Sequence, residues 1–294
     1  MPLVSVLMTS YNHESFIRES IESILAQSFT DFELIIVDDA SKDGSRNIIS
    51  EYNKKDDRIK SVFHESNMGI ARTINDCIEK SCGKYIAIVS SDDLWTEDKL
   101  AKQLEILDQN ENLIVWCNAE IIDAESIVTG KTSSEIFNNS ELNGYVFENL
   151  SSAWLCGSSI MLKRANLNGI RFNETMKYLN DTQFYIDIGF KYNFYYIKET
   201  LVKYRLHSTN TSSGDIRNWY HDSLLLCIYF FKEYGEEMSY KALKNIFNKT
   251  CVISIIFCIK VDLWNKLNII YPIIIPSVFI SLTIKNFLYK AFKY

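Results

Sequence analysis

The sequence predicts an α/β fold with a doubly wound, mostly parallel sheet, followed by a helical, apolar and basic carboxyl-terminal segment. Three observations predict it. Runs of aliphatic residues alternate with helical periodicity through the first third of the chain, the order that builds a parallel sheet through right-handed crossovers. Two of those runs, Leu34-Ile35-Ile36-Val37 and Tyr85-Ile86-Ala87-Ile88-Val89, are apolar throughout, as strands covered on both faces are. Residues 241–294 carry long aliphatic stretches and eight lysines against one acid, Asp262.

Taken in order, Val4 to Thr9 reads as the first strand, and Ile17, Ile21, Ile24 and Leu25 recur at helical spacing. The second strand ends in Asp38-Asp39 and is followed by a Ser41-Lys42-Asp43-Gly44-Ser45 turn and a helix through Ile48 and Ile49. Lys60 to His64 is a third strand, and Ala71 to Lys80 a helix that leads into the run ending at Ser90-Ser91-Asp92-Asp93. Beyond residue 113 the pattern loosens. Leu113 to Cys117 is strand-like, residues 126–143 are polar, and Trp154 to Leu162 is mixed. A helix carrying Asp181, Phe184, Tyr185 and Ile188 precedes a strand at Leu201 to Arg205. The expected division is 1–112, 113–215 as the substrate half, and 216–294 as a helical, membrane-associating region.

Composition narrows the class. With 47% hydrophobic residues and three prolines among 294, the chain is neither disordered nor of low complexity. Its seven cysteines are scattered without a Cys-x-x-Cys pair, which argues against zinc and against a disulfide framework. The start, Met1-Pro2-Leu3-Val4-Ser5-Val6, has no basic region before its strand pattern, so the expected compartment is the cytoplasm.

Charge is uneven: residues 241–294 hold +7, which leaves −13 on the rest of a chain whose total is −6. A basic, apolar tail on an acidic body suggests peripheral attachment to an anionic membrane surface. Nucleic acid is the poorer partner, because the lysines are interleaved with aliphatic runs. Leu267 to Ile284 is uncharged and near the length of a membrane span, but Pro272 and Pro276 point instead to an interfacial or re-entrant segment. A buried core or dimer helix is the alternative.

The run from Tyr85 to Asp93 concentrates the functional signal. Parallel sheets bind ligands at the carboxyl ends of their strands, and Asp92 and Asp93 stand at such an end. Paired carboxylates there suit a hard divalent ion whose shell is completed by substrate phosphates. Alternatively, one of them caps a helix whose first turn is Leu94 to Asp98. A nucleotide ligand is expected, but no two of the ten glycines lie two residues apart and there is no Walker A sequence. NAD enzymes and P-loop NTPases are therefore disfavoured.

With these residues laid out, residues 3–210 resemble a family 2 inverting glycosyltransferase of the GT-A fold, of the type that builds bacterial surface polysaccharide and O-antigen. Val4 to Asn12 resembles its opening strand and loop, Leu34 to Ser45 its second signature, and Ser91-Asp92-Asp93 its Asp-x-Asp motif with serine in the first position. The resemblance makes 1–112 the nucleotide-sugar-binding half and 113–215 the acceptor-binding half. It implies that the Thr9–Tyr11 loop stacks on uracil, that Asp39 accepts from the base, and that Asp92 makes the ribose or second metal contact. It also implies that Asp93 ligates Mn²⁺ or Mg²⁺. Tyr178 to Phe184 resembles the segment that supplies the catalytic base, so Asp181 is the expected base, with Asn180 where the family carries glutamate. Tyr204 to Asn210 resembles a loop in which His207 closes over metal or diphosphate and Arg205 pairs with phosphate. No role follows for Arg72, and Trp154 to Ser159 resembles the acceptor-side loop.

The resulting expectation is transfer of a hexose from a UDP-sugar, with inversion, to an undecaprenyl-diphosphate-linked saccharide at the inner face of the cytoplasmic membrane. UDP-glucose to a GlcNAc-diphospho-lipid in β1,3 linkage is one candidate, with galactose and N-acetylhexosamine as alternatives. No Gln-x-x-Arg-Trp sequence is present, which disfavours a processive synthase. Ser91 and Asn180 keep open a rival reading, a non-catalytic membrane-bound partner that only binds the nucleotide-sugar.

Overall fold

The computed structural model describes residues 1–137, 142–150, 154–210 and 216–239. Each aliphatic run of the first third becomes a strand whose neighbours bury both faces. In order these are β1 (Val4–Ser10), α1 (Ile17–Leu25), β2 (Phe32–Asp38), α2 (Ser45–Lys55), β3 (Ile59–Phe63), α3 (Ile70–Lys80) and β4 (Tyr85–Ser90). Every residue of β2 is buried, as are all but one of β1 and of β4, which is why the runs lack polar alternation. Ile17, Ile21 and Ile24 form the buried stripe of α1.

The chain continues through β5 (Leu94–Trp95), α4 (Lys99–Gln109), β6 (Leu113–Ile122), β7 (Val128–Thr132), α5 (Ser133–Ile136) and α6 (Phe147–Leu150). A 3₁₀ turn at Gly157–Ser159 leads into β8 (Met161–Lys163), α7 (Asn180–Gly189) and β9 (Asn193–Arg205). The strands form one sheet in the order β3-β2-β1-β4-β8-β6-β9-β5, with β7 beside β6. Pairing is parallel along β3-β2-β1-β4 and between β6 and β9, while the short β8 runs antiparallel to both its neighbours. By paired length the sheet is mostly parallel, as the sequence predicts.

This order fixes where a ligand can bind. From β1 the chain moves outward through β2 and β3, then returns to place β4 on the other side of β1. Such a reversal opens a crevice beyond the carboxyl ends of the two central strands. Thr9 pairs with Ser90, so residues 11–16 and 91–93 emerge side by side at its floor.

One alternative is removed at once. Leu94-Trp95 is not a helical turn but a short strand paired with Val202 and Lys203, and α4 begins at Lys99 with Asp98 at its N-cap position. Neither Asp92 nor Asp93 caps a helix.

The chain divides into two compact units, Met1–Ser213 and Gly214–Tyr294. In the second unit, α8 spans Ile216–Tyr234. Among the described residues no helix is long and apolar enough to cross a membrane. The basic tail and the Leu267 to Ile284 stretch lie outside the described residues.

Candidate active site

The loops after β1 and β2 are laced together by short polar side chains. Asn12 N–H donates to Ser41 Oγ at 2.8 Å and Lys42 N–H to Asn12 Oδ1 at 2.8 Å. His13 N–H donates to Ser45 Oγ at 3.0 Å, and Glu14 N–H to Asp43 Oδ2 at 2.9 Å. The His13 carbonyl accepts the amides of Phe16 and Ile17, both at 2.9 Å, and so closes the first turn of α1. Asn12 and Ala40 bend the two loops with φ of 53° and 63°. Tyr11, just past β1, is 44% exposed, while Thr9 stays half-buried within the strand.

His13 is thereby held against the end of β4. Its Nδ1 lies 2.8 Å from Ser91 Oγ and its Nε2 4.0 Å from Asp92 Oδ2. His207, beyond β9, approaches the same oxygen with Nε2 at 3.0 Å, and its Nδ1 is 2.8 Å from Thr209 Oγ1. Asn210 Nδ2 also donates to Asp92 Oδ2 at 3.3 Å. One ligand atom each from His13, Asp92 and His207 lies within 4.8 Å of the others. Phe16 packs on both imidazoles, with ring centroids 5.9 Å from His13 and 4.4 Å from His207.

Asp93 is placed differently, although the motif makes it the expected direct ligand. It is 1% exposed, its Oδ1 accepts the Arg205 amide at 2.9 Å and its Oδ2 accepts the Ser158 hydroxyl. Its carboxylate forms no part of the His13–Asp92–His207 cluster. Ser20, on the buried face of α1, donates to the carbonyls of Ser91 at 2.9 Å and Asp93 at 2.8 Å, fixing the turn that separates the two acids.

The two carboxyls are pushed apart in acidity, as adjacent acids are. Burial, then the neighbouring Asp92 charge, raises Asp93 well above the carboxylate range, against the bonds from Ser158 and Arg205. Burial also works to raise Asp92, but the hydrogen bond from His207 and the nearby imidazoles outweigh it and hold that carboxyl low. Burial lowers His13, with Asp92 opposing. Of the two acids, Asp92 at the crevice is thus the more readily ionised.

Arg205, expected from the sequence to pair with phosphate, is 0% exposed. Its Nε donates to the Asp92 carbonyl at 2.7 Å, and its Nη1 reaches the carbonyls of Asp123 and Ala124 at 3.2 Å and Ser126 Oγ at 2.7 Å. Nη2 pairs with Glu19 Oε2 at 2.8 Å, and the guanidinium lies 5.0 Å from the Phe16 centroid. A buried guanidinium must satisfy its donors locally, and here backbone carbonyls and Glu19 do so. This placement corrects the expected phosphate contact: Arg205 braces the turn from within.

Asp181 opens α7. Its Oδ1 accepts the Thr182 amide at 2.6 Å and the Thr182 hydroxyl at 3.2 Å. The residue is half-buried, and burial pushes the carboxyl up to about 6, against the bonds from Thr182. Asn180, where the resembled family carries glutamate, is buried and donates to the carbonyls of Met176 at 3.4 Å and Lys177 at 3.3 Å. The 3₁₀ turn at Gly157–Ser159 links the two parts of the site. Ser158 reaches Asp93, and a Cβ built on Gly157 would stand 3.3 Å from Tyr185 Oη, one helical turn beyond Asp181.

Asp39 sits at the end of β2 in a network of its own. Its carboxylate accepts the amides of Met68 at 2.7 Å and Gly69 at 2.8 Å, and His64 Nδ1 lies 2.8 Å from Oδ1. His64 Nε2 continues to Asp76 at 2.9 Å, where Arg72 pairs at 2.9 Å. Gly69 has φ 88° and ψ 155°, a region essentially closed to other residues. Gly69→Ala is expected to destabilise the fold by about 1–3 kcal/mol, read as a lowered urea midpoint, as the amide bond to Asp39 is disturbed. A variant with unaltered stability would refute the strain assigned to this turn.

The structure therefore joins Asp92 to His207 and seats Asp93 and Arg205 beneath them. His13 and Ser158 escaped the sequence reading. The signal for His13 was its place directly after the Tyr11-Asn12 pair, in the loop facing the motif.

Comparison with known proteins adds the family. Residues 5–170 match the sequence profile of the family described as glycosyl transferase family 2. The chain is 47% identical over 106 residues to TuaG of Bacillus subtilis (strain 168), named as a teichuronic acid biosynthesis glycosyltransferase, covering 36% of this chain and 42% of TuaG. It is 38% identical over 126 residues to WfgD of Escherichia coli, a UDP-Glc:alpha-D-GlcNAc-diphosphoundecaprenol beta-1,3-glucosyltransferase, covering 43% of this chain and 49% of WfgD. The matches thus span less than half of either relative. The crystal structure of S. aureus TarS 1-349 in complex with UDP-GlcNAc superposes with a TM-score of 0.68 at 21% identity, over 83% of this chain and 71% of that one.

Proposed function

From the premise that the chain belongs to glycosyl transferase family 2 and has the GT-A fold, we propose that it transfers a hexose from a UDP-sugar, with inversion, to a lipid-linked saccharide. The single observation that carries the donor half of this reading is the placing of Asp92, a carboxylate set between two imidazoles that favour its ionised form, at the switch point of the sheet.

Oxygen and imidazole donors of this kind fit a divalent cation such as Mn²⁺, so Asp92 and His207 would hold it. When bound, such an ion neutralises charge developing on the departing diphosphate. The protein's own part is positioning. Tyr11 offers an exposed ring for the base, and Thr9 lines the strand end beside it. Asp39 has about four lone-pair sites, and the amides of Met68 and Gly69 together with His64 engage three of them. The remaining site can accept the uracil ring N–H. Arg205 and Ser158 keep Asp93 beneath the metal-binding carboxylate, a positioning role. Across the sugar, Asp181 takes the proton of the acceptor hydroxyl as it attacks C1 in one displacement.

The acceptor reading rests on the WfgD name and on the apolar, basic composition of residues 241–294. It puts the protein at the inner face of the cytoplasmic membrane, building surface polysaccharide on undecaprenyl diphosphate. Glucose in β1,3 linkage to GlcNAc is the first donor to test; galactose and N-acetylhexosamines follow. A panel of UDP-sugars with a synthetic GlcNAc-diphospho-lipid and Mn²⁺, read by mass spectrometry, is expected to show one new hexosyl product that EDTA abolishes. No transfer and no donor hydrolysis with any UDP-sugar would overturn the reading in favour of a non-catalytic binding partner. Undiminished transfer in EDTA would remove the metal from it.

A further inference from the structure

We propose that His13 is itself a metal ligand and that Ser91 is the residue that prepares it, so that the divalent ion is bound through one carboxylate and two imidazoles. The inference rests on the reading that Asp92 and His207 hold a divalent ion, and it adds the third protein donor and its consequence for which ion is chosen.

The two imidazoles are presented in the same way. Each has its Nδ1 on a hydroxyl, His13 on Ser91 Oγ and His207 on Thr209 Oγ1, both at 2.8 Å. Each turns Nε2 toward the same atom, Asp92 Oδ2, at 4.0 Å and 3.0 Å. A ligating histidine typically engages its other ring nitrogen in a hydrogen bond, which fixes both tautomer and ring orientation. The rings stand almost perpendicular, 87° apart with centroids 5.7 Å from each other, so that their edges converge on the carboxylate.

His13 is also anchored as a ligand needs to be. Its amide is tied to Ser45 Oγ, its carbonyl takes the first two amides of α1, and Phe16 meets its ring edge-on at 70°. None of these contacts uses Nε2. Ser91 gains a purpose from the same geometry. Its hydroxyl holds His13 Nδ1 and so leaves Nε2 turned toward Asp92.

A second imidazole nitrogen beside the carboxylate changes ion preference. Mg²⁺ favours oxygen ligands and keeps much of its water, whereas imidazole suits first-row transition metals. The site is therefore selective for Mn²⁺ over Mg²⁺, and His13 is the residue that sets the margin.

The test is electron paramagnetic resonance of the full chain titrated with Mn²⁺, with and without UDP, combined with electron spin echo modulation to count coupled imidazole nitrogens. Wild type is expected to show two imidazole couplings and His13→Ala one, with Mn²⁺ affinity reduced about 10–100-fold and the preference over Mg²⁺ narrowed. Ser91→Asp in the His13→Ala background is expected to restore binding of both ions. The wild-type spectrum decides the matter even if a variant fails to fold. Mn²⁺ bound with a single imidazole coupling, lost in His207→Ala and unchanged in His13→Ala, would overturn this inference while leaving the metal reading intact. No Mn²⁺ binding by wild type in either condition would overturn both.

Discussion

Replacing Asp181 with Asn is expected to lower kcat for transfer by about 10²–10⁴-fold, the range contributed by a positioned general base, while UDP binding stays within about twofold, inside the scatter of a contact-neutral change. The substitution suits the local structure. Asp181 uses Oδ1 to accept the amide and hydroxyl of Thr182, and the amide oxygen of Asn can take both bonds. The first turn of α7 is kept while the proton acceptor is lost.

The same carboxyl sets a pH limb. Burial raises it to about 6 from an ordinary 3.8, so below that value it is protonated and cannot take the proton of the acceptor hydroxyl. Wild-type kcat/KM should therefore rise with pH through about 6 and then level. In Asp181→Asn that limb should be missing from whatever activity remains. A variant with the wild-type rate, or with the same acid limb, would show that the base is another group.

How much of this was legible in the sequence depended on whether the signal was local. The strands β1, β2 and β4 were readable because burial on both faces leaves a continuous apolar run, and the switch point followed from their order. β5 was not, since the two residues Leu94–Trp95 are too few to show a period and pair only with distant β9. The motif located Asp92 and Asp93, but which of two adjacent acids faces the crevice is decided by the turn that Ser20 and Arg205 hold from other elements. His13 and Ser91 are 78 positions apart, so nothing in either neighbourhood announces their contact. Arg205 misled for a related reason. An arginine beside a histidine loop reads as a phosphate ligand, and only the tertiary structure shows its donors engaged by carbonyls and Glu19.

The floor of the site leads to a second large effect, at Lys99. This side chain is 0% exposed; its Nζ donates to Gln103 Oε1 at 2.6 Å and stands 3.8 Å from the Trp95 centroid. Its neighbours carry the turn that reaches Asp93. Trp95 Nε1 donates to the Ser158 carbonyl at 2.8 Å and Gln103 Nε2 to the Ser159 carbonyl at 2.7 Å. Burial lowers the ammonium to about 8 from an ordinary 10.5, and the nearby thiols of Cys117 and Cys156 supply little charge because burial raises both.

The sign of the linkage follows from these values. Above about 10.5 the amine is neutral in both folded and unfolded chains and costs nothing; between 10.5 and 8 only the unfolded chain is protonated, so stability falls as pH is lowered. Below about 8 the full penalty is present, about 3 kcal/mol at 1.36 kcal/mol per pKa unit. Lys99→Met removes this dependence, although the gain at neutral pH is partly offset by the unpaired Gln103 Oε1, at about 1–3 kcal/mol. Urea unfolding of both proteins from pH 7 to 10.5 should therefore give curves that differ in slope, with wild type gaining about 3 kcal/mol relative to Lys99→Met across that interval. The comparison removes most of the contribution of Cys117 and Cys156, which titrate in both proteins. Parallel curves would mean that the Lys99 ammonium keeps its ordinary pKa in the folded chain and carries no net burial penalty beneath the site.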